Sequence, residues 1–417
     1  MRDTFSFIHA ADVHLDSPLA GLGTKSETFA SLVRGATRRA FVNVADLAIE
    51  EGASFVVIAG DLYDGTWKDH GTGQFAVAQL ARLARAGIRS FVIYGNHDAE
   101  SRVTRHLELP EGVHAFSNRQ CETIELADLS VAIHGRSYKD AATFENIAST
   151  YCPPTLGRFN LSLLHTALEG HAGHAPYAPC SVGELAASGH DYWALGHVHE
   201  ASVRGESPHI VYPGNTQGRT IRETGAKGAM LVKVADGLVR SVEARACDEV
   251  RWARVAVDAI DAADMPELLR GLAGTLASEV SNADGRPLAV RLSIKSRGPL
   301  GTQLLADPAW FEAEVQNQAA IVADGLWVEK VIVETESDGL LRGLPPELAE
   351  ILSTALDDPD CLRVVQDAIA PLLLKLPVDV VDADTAPLVD AAKTADGAAL
   401  VAAARAAVAA HFNADPA

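Results

Sequence analysis

Five short apolar runs punctuate the first half of the chain, and each delivers Asp, Asn or His at one end. Phe5-Ser6-Phe7-Ile8-His9-Ala10 leads into Asp12 and His14, and Phe55-Val56-Val57-Ile58-Ala59 into Gly60 and Asp61. Ser90-Phe91-Val92-Ile93-Tyr94 leads into Gly95, Asn96, His97 and Asp98. Leu161-Ser162-Leu163-Leu164 runs into His165, and Tyr192-Trp193-Ala194-Leu195 into Gly196, His197 and His199. Runs without alternation, rich in β-branched and aromatic residues, predict strands buried on both faces, as in an α/β sheet. Helical spacing over Thr37–Glu50 and Gln74–Arg85 separates the first three, so a β-α-β-α-β series of parallel strands is expected. In such sheets ligands collect outside the carboxyl ends of the strands. A single strand-Gly-Asp stretch reads as easily as a turn or a helix cap. Its recurrence is what points to a site.

Short strands near Val113–Phe116, Thr123–Leu126 and Ser130–His134 predict a second sheet packed on the first, and Ile210–Tyr212, Ala229–Val234 and Leu238–Ala244 complete the domain. A boundary falls at Ala246–Val250. Beyond it, strands over Trp252–Ala259, Leu288–Ile294 and Leu326–Val333 alternate with helices Met265–Glu279 and Pro308–Ile321. From Pro345 the pattern turns helical and Ala-rich. The expected architecture is α/β: two packed mixed β-sheets flanked by helices over residues 1–246, a small α/β domain over 250–340, and a helical carboxyl-terminal tail over 345–417.

At 417 residues the chain exceeds one compact core. Its hydrophobic content of 48% and charged content of 22% are those of a soluble globular protein. No apolar run approaches membrane-crossing length, and the first strand starts too early to leave room for a signal segment. The cysteines (121, 152, 180, 247 and 361) are odd in number and scattered, which predicts reduced thiols and a cytoplasmic location. The net charge of −20 argues against a general nucleic-acid-coating protein. That charge is uneven: residues 251–417 hold 13 basic and 26 acidic side chains, against 22 and 29 in the first 250. Fourteen of the 15 histidines lie in the first 209 residues, so the chemistry belongs to the amino-terminal part.

The strand-end residues Asp12, His14, Asp61, Asn96, His165, His197 and His199 include no cysteine. Carboxylate, amide and imidazole together suit Mn²⁺, Fe²⁺, Zn²⁺ or Mg²⁺. Seven ligands exceed the needs of one ion and suit two that share a bridging carboxylate, for which Asp61 on the central strand is the natural choice. Two ions about 3.5–4 Å apart can clamp the attacking and leaving oxygens of a phosphoester. His197 and His199, two apart, point the same way if extended. His9, His106, His114, His134 and His190 read as hydrogen-bonded structural residues.

Asp12-Val13-His14, Gly60-Asp61, Gly95-Asn96-His97-Asp98, His165 and Gly196-His197-Val198-His199 resemble, in order and spacing, the five motifs of calcineurin-like metallophosphoesterases. His9–Pro18, Gly60–Gly65 and Asp191–His197 resemble more closely the bacterial DNA repair exonucleases of the SbcD and YhaO type. The resemblance covers roughly the first 225 residues, judged by motif placement. It implies the metallophosphoesterase fold, with the small domain as a capping domain. It further implies one ion on Asp12, His14, Asp61 and His199, and another on Asp61, Asn96, His165 and His197. His97 would stabilise the transition state or protonate the leaving oxygen, with Asp98 orienting its imidazole. Asp64 stands where some relatives carry a second histidine; its role and those of His171 and His174 stay open.

The activity so implied is that of a two-metal phosphodiesterase, a DNA repair exonuclease with manganese as the first choice of metal. DNA is the expected substrate, an SbcC-like coiled-coil ATPase the expected partner of the tail, and a homodimer a compatible assembly. Two rivals stand beside it: a phosphoesterase acting on a phosphoprotein or small nucleotide, and a mainly scaffolding subunit of an ATPase complex. The metal ligands serve all the hydrolases alike, while the full ligand set and His97 speak against a scaffold. The basic residues near the motifs (Arg34, Arg38, Arg39, Arg102, Arg105, Arg136, Lys139, Arg219 and Arg222) are candidates for phosphate contacts.

Overall fold

The computed structural model describes residues 4–19, 33–65, 70–100, 108–170 and 177–335, with isolated positions at 29, 354, 360 and 363. The expected tail over 345–417, apart from those isolated positions, and His106, His171, His174, Arg102 and Arg105 lie outside the described residues. The chain divides into two compact units, one of residues 1–253 with 285–289, the other of 254–284 with 290 onwards.

In the first unit, β1 (Thr4–Ala10), α1 (Ala36–Glu50), β2 (Phe55–Ala59), α2 (His70–Arg85) and β3 (Arg89–Ile93) form the expected series. The three strands are parallel, with Ala10 opposite Ile58 and Ala59 opposite Ile93, so their carboxyl ends finish level. The short helix α3 (Asn96–Glu100) leads away from β3, and β4 (Val113–Ala115) follows. A second sheet is built from β5 (Glu122–Leu126), β6 (Val131–Gly135), β7 (Phe159–His165), β8 (Tyr192–Gly196), β9 (Ser202–Arg204) and β10 (His209–Tyr212), with α4 (Val182–Ala187) between β7 and β8. The last strands, β11 (Gly228–Ala235) and β12 (Leu238–Ala246), return to the first sheet. The two orders are β12-β11-β1-β2-β3-β4 and β5-β6-β7-β8-β10-β9. Both sheets are mixed, and helices flank them, as expected. One strand is placed differently: β4, expected in the second sheet, pairs parallel to β3 in the first. Three residues carry no signal of which sheet they will join.

Both faces of β2 are covered, which is why its sequence does not alternate. Phe55 and Val57 pack between the sheets with Phe7, Phe91, Leu161 and Tyr192, and Phe7 stacks on Phe55 at 5.0 Å between ring centroids. Val56 and Ile58 pack on the opposite face with Phe41, Val44 and Leu80 of α1 and α2. Burying an aromatic or branched side chain here is worth about 1.5–3 kcal/mol. These two layers hold β1, β2 and β3 in fixed register and so fix where Asp12, Asp61 and Asn96 emerge.

The cysteines depart from expectation. Cys121 and Cys152 are joined in a disulfide with Cα atoms 5.8 Å apart, while Cys180 and Cys247 are buried and free. Cys121 precedes an edge strand and Cys152 follows a 3₁₀ turn over Ile147–Thr150, so only the folded chain brings them together. No helix among the described residues is long and apolar enough to cross a membrane.

In the second unit, β13 (Arg251–Asp258, entering from the first), β14 (Leu288–Ser296) and β15 (Leu326–Thr335) form a three-stranded sheet in that order. Helices α5 (Met265–Asn282), α6 (Gly298–Ala306) and α7 (Pro308–Val322) accompany it. Asp264 and Asp307 cap α5 and α7 by accepting from Glu267 N and Trp310 N. Helix α6 was not among the elements expected from the sequence; its Leu300 and Leu304 are buried.

Candidate metal centre

The carboxyl ends of β1, β2 and β3 meet those of β7 and β8, and the seven candidate ligands converge there. Asp12, His14 and Asp61 have φ of 50°, 46° and 51°, and His197 has 97°. Left-handed backbone at a non-glycine residue costs on the order of 1–3 kcal/mol and persists only when its surroundings enforce it. Here they do. Asp12 N donates to Gly60 O, His14 N to Asp61 O and Leu15 N to Leu62 O, each at 3.0 Å. His197 N donates to the Asp12 carboxylate at 2.9 Å. Gly60 serves the approach of a neighbour as well as the turn: with φ 94°, any Cβ there would run into the His165 imidazole. A Cβ at Gly95 would strike both the Asp61 carboxylate and His165.

Ligand atoms gather in groups lying within 4.8 Å of one another: Asp12, His14 and His199; Asp12, Asp61 and His165; and His14, Asp64 and His97. In the first, His14 Nε2 and His199 Nε2 face each other at 3.3 Å, with His199 Nε2 3.7 Å from Asp12 Oδ1 and His14 Nε2 3.9 Å from Asp61 Oδ2. In the second, His165 Nε2 lies 3.3 Å from Asp61 Oδ2 and 3.1 Å from Asn96 Oδ1. Asp61 thus reaches both sides. His197 stands beside the second group, its ring edge-on to His165 with centroids 5.2 Å apart.

The imidazole partners reveal what this arrangement is built to hold. His165 Nδ1 bonds Ala59 O at 2.9 Å, His14 Nδ1 bonds Asp64 Oδ1 at 3.1 Å, and His199 Nδ1 bonds Glu223 Oε1 at 2.6 Å. These acceptors assign the proton to Nδ1 in the neutral ring and turn the Nε2 lone pairs inward. Between His14 and His199 lone pair then faces lone pair, an arrangement that repels itself unless a cation lies between them, while at His165 a proton or a cation can face the Asp61 carboxylate. The donor set of carboxylate, amide and imidazole, without thiol, suits hard or borderline divalent ions. The residues fit a pair of metal ions.

The electrostatics agree. Burial alone would keep His165 neutral, but Asp61 and Asp12 raise its pKa to about 9, so the centre attracts positive charge strongly enough to overcome desolvation. Burial works against the Asp61 carboxylate too, yet His165 and His14 hold it below the usual carboxylate range. Burial, aided by the Arg219 charge, brings His14 down to about 3 and leaves it a neutral ligand.

His97 opens α3. Its backbone N–H donates to Asp61 Oδ1 at 3.0 Å, while its side chain is 38% exposed at the mouth of the centre. Asp98 does not orient it. The Asp98 carboxylate is buried and accepts from Tyr63 N at 2.8 Å, Gly95 N at 2.9 Å and Leu62 N at 3.3 Å. Neighbours on a helix point to different faces. The carboxylate beside His97 is that of Asp64, 3.7 Å from Nδ1. Asp98 instead braces the Asp61 and Asn96 loops, and burial together with the Asp61 charge pushes its pKa up to about 7.

Of the histidines read as structural, His9 bridges Tyr192 Oη and Leu195 O at 3.1 Å each, and His134 and His190 are likewise hydrogen-bonded. Arg38 pairs with Asp16 and Arg39 with Glu249, whereas Arg219 reaches the centre through Asp64. Glu223 was missed because it belongs to none of the five strand ends.

A calcineurin-like phosphoesterase family profile matches residues 5–201, and a profile for the middle domain of the metallophosphoesterase YhaO matches residues 252–336. The chain belongs to the calcineurin-like metallophosphoesterases, enzymes that hydrolyse phosphoesters. Within that family it is similar to YhaO of Bacillus subtilis, described as an uncharacterized metallophosphoesterase. The two are 36% identical over 354 residues, covering 83% of this chain and 86% of that one. It is more distantly similar to proteins described as the DNA double-strand break repair protein Mre11. The Methanopyrus kandleri protein is 28% identical over 280 residues, 59% of this chain and 57% of that one. The Archaeoglobus fulgidus protein is 25% identical over 255 residues, 56% of this chain and 54% of that one.

Proposed function

We propose that this metallophosphoesterase is a two-metal phosphodiesterase acting on DNA as a repair exonuclease. The observation that carries the two-metal part is the convergence of inward-facing acceptor atoms on both sides of Asp61. Asp12, His14, Asp61 and His199 would hold one ion, and Asp61, Asn96, His165 and His197 the other, with Mn²⁺ first and Mg²⁺, Fe²⁺ or Zn²⁺ next. Such ions, when bound, polarise the phosphoryl group and lower the pKa of water toward neutrality. The protein's part is to hold the ligands in place and to manage protons. His97, exposed at the mouth and free of a ligand's duty, protonates the leaving oxygen, and Asp64 rather than Asp98 orients its ring.

DNA as the substrate is supported by the likeness to relatives named for double-strand break repair. The unit beginning near residue 250 takes the part of a capping domain, and the tail over 345–417 that of the docking segment for a coiled-coil ATPase in the cytoplasm. End-labelled DNA incubated with the EDTA-treated full-length protein, with and without Mn²⁺, tests the reading against an aryl phosphodiester such as bis(p-nitrophenyl) phosphate. Mn²⁺-dependent loss of label from DNA is expected. Hydrolysis of the aryl diester with DNA left intact would point instead to a small-nucleotide or phosphoprotein substrate.

A further inference from the structure

The segment between β10 and β11 contributes none of the seven candidate ligands, yet it presses two charged side chains against them. Glu223 is nearly buried, its side chain 13% exposed. Its carboxylate accepts from His199 Nδ1 at 2.6 Å, Asn215 Nδ2 at 2.9 Å and the backbone N–H of Arg219 at 2.6 Å. The Arg219 guanidinium reaches Asp64 Oδ1 and Ser17 Oγ, both at 3.3 Å, and its Nη2 lies 3.7 Å from Glu223 Oε1. Asp64 in turn holds His14 Nδ1 at 3.1 Å. The two imidazoles that face each other through Nε2 therefore each carry a carboxylate on Nδ1, and one guanidinium lies between those carboxylates.

The backbone that bears this arrangement is itself fastened. Gln217 Oε1 accepts from Glu249 N at 2.7 Å and Val250 N at 3.1 Å, and Gln217 Nε2 donates to Val250 O at 2.6 Å. Trp252 Nε1 donates to Gly218 O at 2.9 Å. Gln217 and Trp252 are both fully buried. A segment tied this firmly can fix a carboxylate to within the tolerance a metal ligand needs.

We propose that Glu223 and Arg219 are positioning residues for the ion held by His14 and His199. The inference rests on the two-metal reading above. A carboxylate on Nδ1 fixes the tautomer, orients the ring and strengthens Nε2 as a donor. Glu223 does this for His199. Arg219 keeps two like-charged carboxylates, Asp64 and Glu223, close to the same centre without mutual repulsion turning them away. Its own positive charge opposes a divalent ion, but the three groups together carry a net charge of −1 and attract one. The direction of change on removing the guanidinium is therefore diagnostic.

The test is calorimetric titration of EDTA-stripped full-length protein with Mn²⁺, comparing wild type with Glu223→Gln, Arg219→Met and, as a control on the same segment, the exposed Arg222→Met. Wild type and Arg222→Met should bind two equivalents. Glu223→Gln and Arg219→Met should weaken one site by about 10–100-fold and leave the other as it was. Melting of the stripped proteins should show all four equally folded. Unchanged affinity at both sites would overturn the inference, and so would tighter binding by Arg219→Met. Equal losses at both sites together with a lower melting temperature of the stripped variant would mean a general structural role, and would overturn it too. A raised KM for an aryl phosphodiester with metal affinity intact would assign Arg219 to the substrate phosphate instead, with the same consequence. Fewer than two ions in the wild type would remove the two-metal reading, and this inference with it.

Discussion

Removing the Asp98 carboxylate should destabilise the protein before it affects any proton transfer. Three buried backbone donors depend on that group, those of Leu62, Tyr63 and Gly95. An orphaned buried donor costs about 1–3 kcal/mol, and a hydrogen bond to a charged group is worth about 1.5–3 kcal/mol. The Leu62 bond is long at 3.3 Å and contributes least. With partial relaxation, Asp98→Ala should lose about 3–5 kcal/mol. Asp98→Asn can keep its oxygen where Gly95 N and Leu62 N donate, but it sets an NH₂ group against Tyr63 N–H. It should lose about 1–3 kcal/mol. One effect runs the other way. The carboxyl pKa is pushed up to about 7, so ionising it in the folded state is costly. A group whose folded pKa lies above its unfolded value contributes most below the unfolded carboxylate range and loses that contribution as pH rises through the folded value. In metal-free protein the penalty of Asp98→Ala should accordingly be larger at pH 5 than at pH 8. The assay is urea unfolding in EDTA, followed by tryptophan fluorescence, with slopes on the order of 1–3 kcal/mol per M bringing such losses well within resolution. Unfolding midpoints for both variants that coincide with wild type would refute the bracing role. If turnover alone then fell, the orienting role expected from the sequence would be restored.

Three further outcomes follow from the centre. Asp61→Ala should lose most of both Mn²⁺ equivalents, because Asp61 Oδ2 lies within 3.9 Å of His14 Nε2 and 3.3 Å of His165 Nε2; elemental analysis after dialysis reads this, and retention of both ions would contradict the bridge. His97→Ala should keep both ions, since the backbone N–H that bonds Asp61 survives the substitution, while turnover of an aryl phosphodiester falls by about 10²–10⁴-fold. Loss of metal, or near-normal hydrolysis, would count against that role. His165, raised to about 9 in the folded state, stabilises the metal-free protein fully below its unfolded pKa and loses that contribution as pH rises through about 9. Melting temperatures of EDTA-treated protein should therefore fall between pH 6.5 and 9 more steeply than those of His165→Asn, and equal slopes would show that Asp61 and Asp12 do not hold a positive charge there.

What could be read from the chain and what could not divide along a physical line. The strand-end placement of Asp12, Asp61, Asn96, His165 and His197 was legible because a strand buried on both faces is a local sequence property, and so is the residue at its end. Parallel pairing then brings those ends level without further information. The sheet that β4 joins was not legible, since pairing with β3 is a choice three residues do not announce. The disulfide between Cys121 and Cys152 and the contacts of Glu223 depend on chain segments that meet only after folding. Asp98 is the instructive case. Its adjacency to His97 in sequence suggested a pair, but successive residues on a helix face apart. The fold then spends the Asp98 carboxylate on Leu62, Tyr63 and Gly95 and brings Asp64, from the loop after β2, to the His97 ring. The candidate ligands are thus encoded strand by strand, whereas the groups that aim them are encoded in the packing between strands. A substitution at the second kind of position should disturb geometry while leaving every ligand of the metal-binding motifs in place.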